Sequence, residues 1–480
     1  MIRKLIVLGV DGMDRDVVCR LGDRLPNLKA LMCKNGFPRL RSTFPADTTP
    51  AWSTVYTGLD PSEHGILNFI NPGAQADAYQ PLHFDDSAFR GRCFWDVLNR
   101  EGMTCAVVLP MNIRQGWPIN GLMITRPDGG DIHVYPENRR DFYRPRAEIL
   151  STEGSFVPER NLNALKLQYA ARLEEEMRLT RLAVQHEEAD VLFAYFSSID
   201  GVQHDFWRHF DESHPEYPGP NAYGSAIPDM YMRMDKFIAA LMELQPETAL
   251  LVVSDHGHGP RPLRSVRINE LLRRNGFLSP AGRERASQQR AKARLRSFAV
   301  QAVRRCGMPG WALRLAKRFP LWKRIFVSGR DFDWAKTQAC LSDLSAVKNY
   351  SYGGIRISSH VADKDALADE IIARLSELQC EDGSGPLFQW IARTNTIYSG
   401  PFLYRYPEII YQMDERYGGE WSLGENIFEK SAGMHSISPG GHRWRSAVLA
   451  ANALDFSRSQ YEMTDICGMI LDAARGRRHV

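Results

Sequence analysis

Four apolar runs stand out along the first half of the chain, at residues 4–10, 105–109, 191–196 and 249–253, and none of them alternates with polar positions. Continuous rather than alternating hydrophobicity is the pattern of short strands covered on both faces. Between them, Asn27–Asn35, Phe94–Glu101 and Leu162–Glu187 repeat their apolar positions at three- and four-residue steps, which predicts helices. Strands alternating with helices predict an α/β core, a doubly wound and mostly parallel sheet sandwiched by helices. A last strand is expected at Ala447–Ala451 and a terminal helix at Thr464–Ala474. Residues 331–419 read differently, with the strand-like Gly354-Ile-Arg-Ile-Ser, a helical Lys364–Leu378 and several Tyr-rich pieces. They predict a small α+β cap subdomain inserted into a core made of residues 1–260 and 420–480.

Composition adjusts this picture in two places. The chain has 480 residues, 44% apolar and 24% charged, enough for a large buried core, and no apolar run approaches the roughly 18 residues of a membrane span. Met1-Ile-Arg-Lys leads into only about six apolar residues, too few for a signal peptide. Eight cysteines, at 19, 33, 93, 105, 306, 340, 380 and 467, form no CxxC pair, so reduced thiols and a cytoplasmic setting are expected. Charge is uneven: residues 261–330 hold 19 Arg or Lys against Glu270 and Glu284, whereas the whole chain nets only +3. Two basic amphipathic helices are expected within Ala286–Phe326, broken at Gly307-Met-Pro-Gly310. This basic helical insertion suits an anionic membrane or nucleic-acid surface, or a lid that gathers phosphate-bearing substrates, and equally a solvated face on a packed insertion.

The chemistry lies where the apolar runs stop. Thr248-Ala-Leu-Leu-Val-Val-Ser-Asp-His-Gly-His-Gly259 ends in a carboxylate, two imidazoles and two glycines, and Lys4-Leu-Ile-Val-Leu-Gly-Val-Asp-Gly12 repeats the design. Ligands of open α/β sheets bind beyond the carboxyl ends of the strands, so Asp11, Asp255 and His256 are expected to converge on one ion. Asp200 and His204 follow the 191–196 run four residues apart, share one face if the segment is helical, and suit a second chelate. Gly433-Met-His-Ser-Ile-Ser-Pro-Gly-Gly-His-Arg443 offers His435 or His442 as a further nitrogen. Finally, Asp47-Thr-Thr-Pro-Ala-Trp52 sets Thr48 or Thr49 at the start of a helix, because proline suits a first turn. A hydroxyl there meets amide donors and a positive dipole end, as a nucleophile attacking phosphorus requires.

Together these segments resemble the alkaline phosphatase superfamily, specifically its type I phosphodiesterase/nucleotide pyrophosphatase branch. The resemblance covers 4–65, about 93–110, 190–210, 249–259 and 433–475, and is weak across 260–430. It implies two divalent metal ions, commonly zinc, with manganese compatible with the same donors. Carried over by position, Asp11, Thr48, Asp255 and His256 would hold one ion, and Asp200, His204 and His442 the other, with His435 the alternative to His442. Thr48 would be the nucleophile and Thr49 the fallback. His64, His209 and His258 fall outside that set and are assigned structural or ligand-supporting roles. Asn68 sits about one position early for the asparagine that helps hold phosphate in some relatives. The implied activity is hydrolysis of a phosphodiester or pyrophosphate bond in a small phosphate ester, a nucleotide among the candidates, through a covalent phospho-enzyme. A phosphomonoesterase or phosphomutase on the same core is the alternative. A non-catalytic protein binding anionic membrane or nucleic acid through 261–330 is the alternative of another class, and that segment would also allow peripheral attachment to a membrane.

Overall fold

The computed structural model describes residues 4–34, 36–67, 85–127, 132–144, 161–281, 332–342, 349–431 and 438–478, with short pieces between 298 and 307. A seven-stranded sheet runs through the core in the order Leu449–Ala451, Ala249–Val253, Leu5–Val10, Val191–Phe196, Cys105–Val108, Gly121–Thr125 and His133–Tyr135. Its five central strands are parallel, and the two outermost are antiparallel to their neighbours. The expected doubly wound, mostly parallel architecture is therefore the one observed.

Alternate side chains of the first strand serve opposite faces, as strand geometry demands. Ile6, Leu8 and Val10 join a cluster with the helices Leu162–His186, Ser198–Phe210 and Ala226–Leu244. Leu5 and Val7 join another with Trp52, Val55 and Tyr56 of the helix Thr48–Thr57 and with Ile466 and Ile470 of the terminal helix Asp465–Ala474. Both faces are dry, which is why the runs are continuous in sequence. Gly9 lets the Thr48–Thr57 helix approach the sheet, since a Cβ there would lie 2.6 Å from the Trp52 ring.

The cap is built on an antiparallel sheet ordered Ala339–Ser342, Tyr352–Ile357, Ile409–Met413, Phe388–Arg393, backed by the helix Lys364–Ser376. Its hydrophobic cluster takes in Val266, Ile268 and Leu271 as well as Ile355, Tyr411 and Trp421. The front of the basic segment is thus cap: Arg264–Arg267 is a strand between Tyr417–Glu420 and Phe428–Lys430, and Ile268–Arg274 is a helix. The two basic helices expected within Ala286–Phe326 lie almost wholly outside the described residues. Among the described residues no helix is long and apolar enough to cross a membrane.

Candidate metal centre and nucleophile

Parallel strands in matched register end level. Gly9 pairs with Val253 and Val10 with Phe196, so the turns that follow open on one edge of the sheet. The Asp11 amide donates to the Phe196 carbonyl at 2.9 Å, and the Gly12 amide donates to Asp255 Oδ1 at 3.0 Å, tying three strand ends together. Gly12 has φ +64°, and a Cβ on it would stand 2.8 Å from Asp200 Oδ1, so both its backbone and its lack of a side chain are needed. One turn into the helix Ser198–Phe210, Asp200 and His204 project together, with His204 Nε2 3.3 Å from Asp200 Oδ2. The strand Gly440–Arg443 lies antiparallel against Gly257–Pro260 and sets His442 directly opposite His258.

Thr48 opens the helix Thr48–Thr57, whose first helical hydrogen bond runs from the Ala51 amide to the Asp47 carbonyl. Its Oγ1 lies 3.2 Å from His256 Nε2 and 3.5 Å from Asp11 Oδ1. Thr49 instead accepts, through its backbone oxygen, from Asn112 Nδ2 and Ser53 Oγ. Thr48 is therefore the hydroxyl that the fold turns into the cluster. His435 lies outside the described residues, as does Asn68; His442 is the late histidine found at the cluster.

Three imidazoles share one arrangement. Nδ1 of His204 meets the Gly440 carbonyl at 3.0 Å, Nδ1 of His256 the Gly257 carbonyl at 3.1 Å, and Nδ1 of His442 the Ala46 carbonyl at 3.0 Å. A carbonyl only accepts, so each Nδ1 carries the proton and each Nε2 presents a lone pair inward. Those lone pairs face one another and the carboxylates: His204 and His442 Nε2 are 3.0 Å apart, His442 Nε2 is 3.6 Å from Asp200 Oδ1, and His256 Nε2 is 3.2 Å from Asp255 Oδ2 and 3.6 Å from Asp11 Oδ1. Lone pair against lone pair is repulsive unless a cation lies between them. Buried and, among the described residues, without a hydrogen bond, Asp255 Oδ2 and Asp200 Oδ1 make the same demand. Asp11, Asp255 and His256 form one group close enough to share an ion, and Asp200 anchors others with His204, His256, His258 and His442. The donor set fits divalent metal.

Electrostatics agree with the geometry. Burial, reinforced by Asp255 and Asp200, pushes Asp11 well above the usual carboxylate range, and burial lifts Asp255 to about 6. Burial opposes ionisation of Asp200 too, but His204, His258 and His442 outweigh it and hold that carboxyl well below its ordinary value. Burial and the facing His204 lower His258 to about 3, so its ring is neutral.

Several supporting residues carry no sequence signal. Trp52 Nε1 and the Tyr195 hydroxyl both donate to Asp11 Oδ2, at 3.3 and 2.5 Å, fixing the carboxylate that faces Thr48. Arg261 is buried, and it donates to the Gly440 carbonyl at 2.9 Å and to Ser438 Oγ at 3.0 Å, bracing the strand that orients His204. Neither aromatic residue is given a role by the sequence, and Arg261 reads there as one charge among many in the basic segment. Of the spare histidines, His64 bonds Thr54 Oγ1 and the Ile66 amide, and His209 packs against Phe206 and Tyr223, both away from the cluster. His258 is in it.

A sheet of this topology with a carboxylate and imidazole cluster at its strand ends agrees with the alkaline-phosphatase-like fold expected from the sequence. Phosphonoacetate hydrolase from Sinorhizobium meliloti 1021 in complex with phosphonoacetate shares the fold, with TM-score 0.54 and 14% identity over 98% of this chain and 95% of that one. The same enzyme in complex with phosphonoformate gives TM-score 0.53 and 13% identity over the same shares. Residues 5–418 match the family described as type I phosphodiesterase/nucleotide pyrophosphatase, and the chain belongs to that family. No curated protein matches the sequence. Family membership makes the chain a phosphoester hydrolase, and the family is a metal-dependent one.

Proposed function

We propose that the protein hydrolyses a phosphodiester or pyrophosphate bond in two steps through Thr48, with two divalent ions as cofactors. Asp11, Asp255, His256 and the Thr48 oxygen would hold one ion, and Asp200, His204 and His442 the other. The observation that carries the reading is the shared orientation of the three imidazoles, each with Nδ1–H on a backbone carbonyl and Nε2 turned toward carboxylates and the Thr48 hydroxyl. When bound, the ions supply Lewis-acid charge that favours the alkoxide of Thr48 and offsets charge on the phosphoryl oxygens. Carboxylate and imidazole donors suit zinc or manganese alike.

The chain's own part is positioning. Thr48 sits at the start of a helix, where the amides of the first turn and the dipole favour a phosphoryl group. Asp11, fixed by Trp52 and Tyr195, faces the hydroxyl that must lose its proton. Attack by Thr48 Oγ1 forms a phosphothreonine as the bond to the leaving oxygen breaks, and that oxygen takes a proton from solvent. Water then attacks phosphorus in line, and Thr48 recovers its hydroxyl.

Purified protein loaded with Zn²⁺ or Mn²⁺ is expected to hydrolyse bis-p-nitrophenyl phosphate faster than p-nitrophenyl phosphate. Thr48→Ala should lower kcat on either ester by about a thousandfold, in the range that loss of a catalytic group typically costs. A Thr48→Ala protein at full turnover would defeat the nucleophile assignment. The reverse substrate preference would move the reading to a phosphomonoesterase on the same core.

A further inference from the structure

His258 is fully buried, yet among the described residues its ring nitrogens make no hydrogen bond: Nδ1 stands 3.3 Å from Asp200 Oδ1 and Nε2 has no partner. A buried imidazole with both nitrogens idle is costly, and native folds retain few such groups without a reason. Its position is fixed from three sides. Across the ladder of Gly257–Pro260 and Gly440–Arg443 it lies directly opposite His442, and directly opposed residues of an antiparallel pair project to the same face. Its backbone amide donates to Asp14 Oδ2 at 2.9 Å, and the Trp207 ring stacks on it with centroids 5.6 Å apart. Its ring centroid is 4.5 Å from that of His204 and 5.8 Å from that of His442. Asp200, His204 and His258 also bring one donor atom each to within 4.8 Å of one another.

We propose that His258 is a further ligand, through Nδ1, of the ion held by Asp200, His204 and His442. The inference rests on the two-ion reading above. It converts an ordinary acid and two-histidine site into one carboxylate with three nitrogens, a set that favours zinc or cobalt over manganese and magnesium. The helix supplies an i, i+4 pair and the two-stranded ladder supplies a cross-strand pair, so four ligands come from two rigid elements. Among the described residues no backbone carbonyl accepts from His258 Nδ1, in contrast with the three imidazoles above, which leaves that nitrogen available to a metal.

Cobalt substitution tests it on the intact chain. Metal-free protein is titrated with Co²⁺, followed by visible absorption and by metal analysis after gel filtration. His258→Asn keeps an N–H donor near the Nδ1 position but removes the ring nitrogen, and His258→Ala removes both. Tenfold or greater loss of affinity for one of two Co²⁺ ions in both variants, with a changed spectrum, is expected. Wild-type affinity and spectrum in His258→Asn would overturn ligation and leave His258 a positioning residue for Asp200. Should the variants fail to fold, the paramagnetically shifted imidazole N–H proton signals of the Co²⁺-loaded wild type decide: four are expected, and three would overturn the proposal. A wild-type chain that takes up no Co²⁺ would defeat the two-ion reading itself, a result distinct from intact loading without His258.

Discussion

His64 shows how one residue can be chemically conspicuous and still belong to the scaffold. Its Nδ1 accepts from the Ile66 amide at 2.9 Å and its Nε2 lies 3.1 Å from Thr54 Oγ1, so the neutral ring with its proton on Nε2 satisfies both. Burial, with Arg92 nearby, lowers it to about 3 from an ordinary 6.5. A folded-state value below the unfolded one means that the neutral ring stabilises the fold above pH 6.5, and that this contribution is lost as pH falls toward 3, on the order of 5 kcal/mol in full. His64→Gln keeps a donor for Thr54 and cannot titrate. It should be less stable than the parent by about 1 kcal/mol at pH 7.5, for the lost Ile66 bond, and flatter in Tm between pH 6.5 and 4. Equal slopes in parallel thermal melts would remove His64 from the acid response. At this scale the sequence was informative where a residue type is rare in its setting, as with Thr48 before Pro50 and Asp255-His256 after a strand. It gave His258 only a structural or ligand-supporting role, because a histidine two positions past His256 looks the same whether it faces the cluster or the core.

Elements were legible in proportion to their length and burial. The central strands declared themselves because both faces are covered, but Gly121–Thr125 and His133–Tyr135 went unseen: they sit toward an edge, are short, and carry mixed patterns. The antiparallel sense of Leu449–Ala451 also had no local signal, since direction depends on the connection and not on the strand. What makes the elements into a site is the turn after each strand. Gly12, in the turn after the first strand, and Gly102, in the turn after the helix Phe94–Arg100, separate the two demands a glycine can answer: both have positive φ, +64° and +84°, but a Cβ at Gly12 meets Asp200 whereas one at Gly102 meets nothing within 4 Å. Gly102→Ala should therefore lose only about 1 kcal/mol of stability, through backbone strain. Gly12→Ala should lose a similar amount and in addition weaken divalent-metal binding at least tenfold, by displacing the Asp200 carboxylate. Equilibrium metal titration of the two variants distinguishes the cases, and equal affinities would show that the Gly12 approach is not what sets Asp200.

On the scale of the molecule, the cap holds the loop that leads into Thr48. Tyr352 donates to the Ala46 carbonyl at 2.9 Å and Tyr406 to the Phe44 carbonyl at 2.8 Å, and Ala46 is also the residue that orients His442. The cap's extent was hidden in the sequence because arginines dominate residues 264–274, while the apolar Val266, Ile268 and Leu271 between them pack into the cap cluster. Asp11, Asp200 and Asp255 bring distant stretches of chain to one point, and among the described residues their ion-pair partners are imidazoles. Two buried carboxylates and a half-buried third, without a cation, repel one another across the ends of the central strands. Metal removal should therefore destabilise the sandwich core more than the cap, whose cluster is separate. With metal at a hundredfold excess over its Kd the expected stabilisation is about 2.7 kcal/mol for one site, more for two. Calorimetry with EDTA, and then with Zn²⁺ restored, should show the core transition fall by several degrees and recover, while Thr48→Ala retains most of the shift because the carboxylates and imidazoles remain. A core transition indifferent to EDTA in protein verified as metal-loaded would mean that the cluster is held by protons rather than by ions.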